Sequence, residues 1–122
     1  GDFISSHLTL ASTGISMDRQ AILIALGLKP DYVKQFNHYS MIKYVELEEG
    51  KKVDKLYPLD LLKIKKEHVF SHYFIKKGDV IPEIENSAHR SVCVLYKSDN
   101  YETLFELIDQ ASLKLIKNIK LS

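Results

Sequence analysis

Residues 90–96 constrain the fold of this chain most, because the run is apolar on both sides of an extended backbone. Successive side chains of a strand point to opposite faces of the sheet, so Val92 and Val94 share one face while Cys93 and Leu95 share the other. A strand with one face in water alternates apolar and polar residues, whereas a strand covered on both faces is apolar throughout. The run therefore predicts a central strand that is buried on both sides.

A first helix is predicted to begin after Ser16, whose hydroxyl can accept a hydrogen bond from a free backbone N–H of the first turn. Gly27 can adopt the left-handed conformation that ends a helix, and Pro30 prevents continuation. Residues 1–14 mix Ser, Thr and Gly with apolar residues, which predicts a structured loop that packs against a neighbour. The apolar residues of the helix recur at helical spacing: Met17, Ala21, Ile22, Ile24, Ala25 and Leu26.

A second, longer helix is predicted near the end of the chain. Asp99 is expected to cap its N-terminus, and Glu102 completes a pair that resembles a capping box. A short strand is expected at residues 116–121. The predicted buried stripe of the helix comprises Leu104, Phe105, Ile108, Ala111, Leu115 and Ile116.

The residues between these helices predict strands. Residues 40–47 and 52–57 are expected to form a hairpin around a turn at Glu49 and Gly50. Residues 58–62 are expected to form a helical turn, and residues 68–75 a further strand that ends in a turn at 77–79. The order helix, hairpin, strand, strand, helix predicts an α+β fold, in which an antiparallel sheet carries the long C-terminal helix on one face.

Charge and cysteine content exclude several classes of partner. The 122 residues carry a formal net charge of +1, too close to neutral to indicate a nucleic acid or an anionic membrane surface as partner. The longest apolar stretches are much shorter than the roughly 20 residues that span a bilayer. Cys93 is the only cysteine and is expected to be a small buried hydrophobe. This cysteine usage is typical of a cytoplasmic protein.

Two groups of polar residues invite a catalytic interpretation. His68 and His72 would share a face of the predicted strand but lie about 13 Å apart by strand rise, too far to bind one metal ion. Ser5, Ser6 and His7 are adjacent, but a nucleophile and its base must meet in space rather than in sequence. These residues alone therefore nominate neither a metal site nor a catalytic centre.

Arg90 follows a polar stretch, residues 86–89, and opens the apolar run. A functional interpretation has its guanidinium binding a carboxylate or a phosphate. The alternative is a polar turn before a buried strand, with Arg90 at the rim of the sheet. The sequence leaves both interpretations open.

The first thirty residues resemble the end of an ATP-grasp catalytic domain. In that superfamily a metal-binding motif of the form E-x-N-x-R-x-G-G precedes a short loop, a T-G-[IV] step and a helix that ends in A-x-G. Here the residues Gly1 and Asp2, then S-T-G-I-S at 12–16 and A-I-L-I-A-L-G-L-K-P at 21–30, are similar to that series. His7 with T-G at 13–14 looks like the E-H-x-x-T-E…T-G stretch of biotin carboxylase-like and carbamoyl-phosphate synthase-like members, although Ser6 stands where a carboxylate would be.

The rest of the chain resembles the C-terminal domain of L-amino-acid ligase-like and carnosine synthase-like ATP-grasp enzymes. There a K-x-G-D turn precedes an R-x-G-x-V-x-A strand and a helix that begins G-D-T-x-E-E-A. Here K-K-G-D at 76–79, R-S-V-C-V-L-Y at 90–96 and D-N-Y-E-T at 99–103 take these places. The resemblance implies that residues 1–38 end the ATP-grasp catalytic domain and residues 39–122 form a C-terminal α+β domain.

Enzymes of this kind use ATP and magnesium to convert a carboxylate into an acyl phosphate, which an amine then attacks. The resemblance implies that the groups that hold phosphate and magnesium lie before Gly1, so the chain itself would hold no cofactor and be inert alone. Asp2, Ser6 and His7 would lie at the acceptor side of the site, and the partner would be the rest of the same chain, with a homodimer as a further option. The alternative is a free-standing α+β module that binds a ligand or regulates.

Overall fold

The computed structural model describes residues 7–35, 37–85 and 89–122. Within them, three α-helices, five strands and one 3-10 helix follow one another along the chain. The helices are α1 (Thr9–Thr13), α2 (Met17–Ala25) and α3 (Tyr101–Asn118), with the 3-10 helix at Leu59–Ile64. The strands are β1 (Tyr39–Val45), β2 (Val53–Lys55), β3 (His68–Tyr73), β4 (Val92–Ser98) and β5 (Lys120–Leu121).

Strand β4 is the centre of the fold, as the sequence predicts. It lies between β1 and β3 in a three-stranded sheet and runs antiparallel to both. Its residues 92–95 are fully buried and Tyr96 is nearly so. The sheet and its helices form an α+β fold, which confirms the predicted class.

Helix α3 covers one face of the sheet. Its buried residues Leu104, Ile108 and Leu115 pack with Val92, Val94 and other residues in the main core. The predicted stripe is wrong at two positions, because Phe105 and Ile116 are more than half exposed while Ser112 is buried. Ser112 satisfies its hydroxyl by donating to the carbonyl of Ile108, which lets a small polar residue occupy the buried stripe.

The N-terminus of α3 corrects a second prediction. The capping residue is Asn100, whose side-chain oxygen accepts a 3.0 Å hydrogen bond from the backbone N–H of Thr103. The Asp99 carboxylate instead contacts the His38 ring, with 2.8 Å between Oδ1 and Nε2. Asp99 and Asn100 are both residue types that can cap a helix. Asn100 caps α3, while the Asp99 side chain contacts His38, which is distant in sequence.

The predicted hairpin is wrong in its pairing. The turn at Glu49 and Gly50 exists, but β1 pairs with β4, whereas β2 pairs antiparallel with β5. Val53 of β2 is fully buried in a second, smaller core with Ile75 and Ile81. Burial in that core separates β2 from β1. The final strand, β5, is shorter than predicted because α3 continues to Asn118.

Other local predictions are confirmed. Pro58 precedes the 3-10 helix, β3 occupies the predicted strand, and a turn follows at Lys77 and Gly78. The loop expected at residues 1–14 is in part wrong, since residues 9–13 are helical and Ala11 is buried. Residues 1–6 lie outside the described part of the chain.

Helix α2 has the predicted ends. The Ser16 hydroxyl accepts a hydrogen bond from the backbone N–H of Arg19. Gly27 adopts a left-handed conformation with φ of 75°, and Leu28 donates its backbone N–H to the carbonyl of Leu23. Among the described residues, no helix has both the length and the apolar character needed to cross a membrane.

The corrected stripe of α3 gives a direct test by unfolding. Leu115 is fully buried and Leu113 is 59% exposed, so they form a matched pair on one helix. We expect Leu115→Ala to lower the free energy of unfolding by about 2–5 kcal/mol, because it removes buried methyl groups and leaves a cavity. Leu113→Ala should change it by less than about 0.5 kcal/mol. Urea denaturation measures both, and equal losses from the two substitutions would contradict this packing.

Candidate functional site

The candidate site is the sheet face opposite α3, called here the second face. The strand register places Cys93 and Leu95 of β4 on this face, with Tyr44 of β1 and Phe70 and His72 of β3 beside them. Both β4 side chains are fully buried. The second face is therefore covered, at least above its central strand.

The segment around α1 supplies cover on the β1 side. The hydroxyl of Ser40 in β1 donates to the carbonyl of Leu8 over 3.0 Å and also hydrogen-bonds the hydroxyl of Ser12. The connector after α2 is tied to the same helix, because His38 donates its backbone N–H to the carbonyl of Ser12 over 2.9 Å. These bonds join α1 to the edge of the sheet.

His7 lies on the β3 side of the same face. Its ring centroid is 4.3 Å from that of Phe70, with the two planes inclined by 37°. Phe70 is stacked against His72 with centroids 6.2 Å apart, and the His72 ring meets Phe74 edge-on at 4.8 Å. Residues 7–13 thus contact β3 through His7 and β1 through Ser12, so the segment crosses the second face.

Arg90 lies on the β1 side. Its guanidinium carbon is 3.6 Å from the centre of the Tyr44 ring, a cation–π contact. The two residues line a cleft of about 190 Å³ together with Glu46, Ile84 and Ser91. A guanidinium above a tyrosine ring at a cleft is placed to bind an anion, although Glu46 in the same cleft adds a negative charge.

The structure brings two of the four candidate residues to one face. His7 and Arg90 contact opposite edge strands, which lie about 10 Å apart across β4. The other two candidates, Asp2 and Ser6, lie outside the described residues. The contacts of Phe70 and Tyr44 were not predicted, because they depend on strand pairing rather than on any local motif.

The two histidines of β3 correct another prediction. His68 pairs with Tyr96 and its ring meets the Tyr96 ring edge-on at 5.3 Å, on the face covered by α3. His72 pairs with Cys93 and lies on the second face. The register of β3 shifts between His68 and Phe70, and this bulge turns the two side chains to opposite faces. They cannot share a ligand, and the described residues contain no group of three or more His, Cys, Asp or Glu side chains that could hold a metal ion.

Burial controls the ionisation of the groups around β4. It raises the pKa of the Cys93 thiol to about 11, so the thiol stays protonated near neutral pH, as expected for a buried hydrophobe rather than a nucleophile. It also lowers the pKa of His68, with the charge of Lys63 as a smaller cause. Tyr73 donates its hydroxyl to the carbonyl of Tyr57 over 2.5 Å, and burial raises its pKa to about 12.

A polar cleft of about 260 Å³ lies at the N-terminus of α3, where sequence patterns predicted no site. The contact between His38 and Asp99 lies on its wall, and the charges of its lining are mixed, because Lys66 and Lys97 line it together with Glu67 and Asp99. Balanced charges of this kind do not select an anion or a cation. The second face therefore remains the candidate site.

Comparison with known proteins supports the fold. No family model and no curated protein matches the sequence. Among solved structures, the fold is similar to that of the L-amino acid ligase from Bacillus licheniformis, with a TM-score of 0.71 and 15% sequence identity. The match covers 100% of this chain and 30% of the ligase chain. At this identity the likeness establishes that the chain has a fold found within an L-amino acid ligase.

Proposed function

We propose that this chain is the C-terminal part of an ATP-dependent carboxylate–amine ligase of the ATP-grasp kind. The observation that carries the proposal is the structural likeness of the whole chain to 30% of an L-amino acid ligase. The resemblance of residues 1–30 to the end of an ATP-grasp domain supports it from the sequence. Such a ligase forms an acyl phosphate from a carboxylic acid and ATP, and an amine then displaces the phosphate.

In this proposal, residues 1–38 end the ATP-grasp domain and residues 39–122 form the C-terminal domain. Two contacts described above cross this boundary, namely His7 with Phe70 and Ser12 with Ser40. They couple the end of the catalytic domain to the sheet. The C-terminal domain then braces the segment that follows the metal-binding motif.

The chain contributes to the acceptor side of the active site, and His7 is the residue proposed to act there. A histidine can orient or deprotonate an attacking amine because its unperturbed pKa lies near neutrality. Contact with Phe70 restricts the His7 ring and supports a defined orientation. Asp2 and Ser6 are proposed to lie beside His7, and Arg90 is proposed to bind an anionic group of a substrate.

Magnesium and ATP belong to the part of the enzyme that carries the metal-binding motif. Magnesium in such sites is held by one or two carboxylates together with the substrate phosphates, and these carboxylates are proposed to lie in that part of the enzyme. Phosphoryl transfer depends on cationic groups that clamp the phosphates, and this chain is proposed to supply none of them. The chain is therefore proposed to be inert alone.

Calorimetric titration tests this assignment. We expect the 122-residue chain to give no binding heat with magnesium and ATP, and the natural polypeptide that carries this sequence to bind the nucleotide. Micromolar binding by the 122-residue chain itself would contradict the proposal and favour a free-standing ligand-binding module.

Substitution of His7 tests the acceptor-side role. In the natural polypeptide, His7→Ala should lower kcat by about 100-fold at saturating ATP and leave the KM for ATP nearly unchanged. A 100-fold loss is the lower end of the range for removal of a general acid or base. His7→Phe keeps a ring against Phe70 and should lose the same activity. His72→Ala is the matched control, since His72 is exposed and stacks on the same Phe70, and it should retain activity.

Three results would contradict the role of His7. These are normal turnover in His7→Ala, restoration of activity by His7→Phe, and loss of ATP affinity alone. The second would assign His7 a packing role. Steady-state kinetics with the amine varied separate these outcomes.

A further inference from the structure

A narrow groove lies between the 3-10 helix and α3, on the side of the sheet that α3 covers. Ile64 is 78% exposed and Leu61 is 49% exposed, so the groove is open to solvent. Its volume is about 90 Å³, well below the roughly 300–1,000 Å³ of a small-molecule site, and suits a single side chain of a protein partner. Its apolar lining comes from both helices and from β4: Leu61, Leu62, Ile64, Tyr96, Leu107 and Ala111.

The charge around this groove is positive. Lys65 and Lys114 belong to its lining and are both exposed. Lys63 lies beside Lys65 but forms an ion pair with Asp60, with 3.2 Å between nitrogen and oxygen. Among the residues that the structure describes, no carboxylate belongs to the lining. The groove, called here the basic groove, therefore suits an apolar side chain that has carboxylates next to it.

The chain itself carries a segment with that chemistry. Ile84 is 48% exposed and lies between Glu83 and Glu85, which are also exposed. The same isoleucine lines both the cleft that contains Arg90 and a second cleft of about 400 Å³. It therefore forms the ridge between two clefts. Residues 83–85 are called here the acidic ridge.

The second cleft adds to the negative charge of the acidic ridge. Three carboxylates line it, those of Glu46, Glu49 and Glu83, and its described lining contains no cationic group. These three do not form a group that could hold a metal ion. The ammonium group of a lysine, carried on a flexible stem, can instead reach them from a partner. The ridge and this cleft together complement an apolar groove with lysines beside it.

One copy of the chain cannot place its own acidic ridge in its own basic groove. Ser91 lines the cleft on one side of the ridge, and Tyr96 lines the groove. The five residues from Ser91 to Tyr96 span about 17 Å of extended backbone, and the two side chains point to opposite faces of the sheet. The ridge of one copy can therefore reach only the groove of another.

We propose that the acidic ridge of one copy docks in the basic groove of a second copy of this chain, whatever reaction the polypeptide catalyses. Ile84 enters the groove. The carboxylates beside it pair with the ammonium groups of Lys65 and Lys114. Because each copy carries both surfaces, two copies can exchange both contacts about a two-fold axis. The contact is small, so the association is weak and transient.

Sedimentation of the natural polypeptide tests this proposal without any assay of activity. We expect the average mass to rise with protein concentration at low salt and to fall back toward the monomer at about 0.5 M salt, which screens charge pairs at the surface. A monomer at every concentration up to about 1 mM would overturn the proposal. Association that salt leaves unchanged would overturn it as well.

Charge reversal identifies the two surfaces. One variant combines Lys65→Glu with Lys114→Glu, and the other combines Glu83→Lys with Glu85→Lys. Each variant alone should associate at least about tenfold more weakly than the wild type, because like charges then face each other. An equimolar mixture of the two should associate again, since each variant keeps the surface that the other has lost. A mixture that stays monomeric, or either variant associating as the wild type does, would overturn the proposal.

Matched controls separate this contact from a general effect of charge. Lys34→Glu with Lys77→Glu reverses two exposed lysines outside both surfaces and should leave the association unchanged. Ile84→Ala removes the apolar contact and should weaken association about tenfold. Every variant should melt as the wild type does, because all the changed side chains are exposed. An equal loss in the lysine control would overturn the assigned surfaces, and slow hydrogen exchange around the groove in a monomer would assign the groove to another part of the polypeptide and overturn the proposed partner.

Discussion

Burial of strand β4 on both faces is the constraint on which the rest of the structure depends. Val92 and Val94 are covered by α3, while Cys93 and Leu95 face the opposite side, and all four are fully buried. Each large apolar side chain contributes about 1.5–3 kcal/mol when it leaves water. One helix can cover only one face, so the chain needs a second cover. The segment 7–13 contributes to that cover through His7 above β3 and Ser12 beside β1.

This arrangement explains why the candidate site lies on the second face. The cover there is a short segment held by hydrogen bonds from Ser40 and by a ring contact with Phe70. The segment places His7 against Phe70 of β3, while Arg90, which lies just before β4, contacts Tyr44 of β1 at the other edge. The face covered by α3 has an apolar core, and the histidine on it, His68, packs edge-on against the ring of Tyr96.

Sequence patterns predicted the features that depend on neighbouring residues. The hydroxyl of Ser16 caps α2, Gly27 ends it, and the apolar run at 90–96 is the central strand. Features that depend on distant residues could not be predicted. Asn100 rather than Asp99 caps α3, and the Asp99 carboxylate contacts the distant His38. Likewise β1 pairs with β4 rather than β2, and the bulge in β3 turns His68 away from His72, which no spacing in the sequence reveals.

For the candidate residues too, the sequence indicated which residues to consider but not their contacts with distant residues. His7 was nominated by its place in a resemblance, whereas its contact with Phe70 follows from strand pairing. The sequence left Arg90 between two roles, and the structure places its guanidinium above the Tyr44 ring at a cleft, a contact that depends on strand pairing. The exposed apolar sides of α2 were visible in the sequence only as helical spacing, since the sequence cannot say which sides the chain itself covers.

The central claim is that the chain works within a ligase that activates a carboxylate as an acyl phosphate. Hydroxylamine trapping tests it most directly in the natural polypeptide with ATP, magnesium and a mixture of amino acids. Attack of hydroxylamine on the acyl phosphate forms a hydroxamate and releases phosphate, so hydroxamate, ADP and phosphate should appear in equal amounts. Formation of AMP and pyrophosphate, or no hydroxamate with any amino acid, would contradict the account.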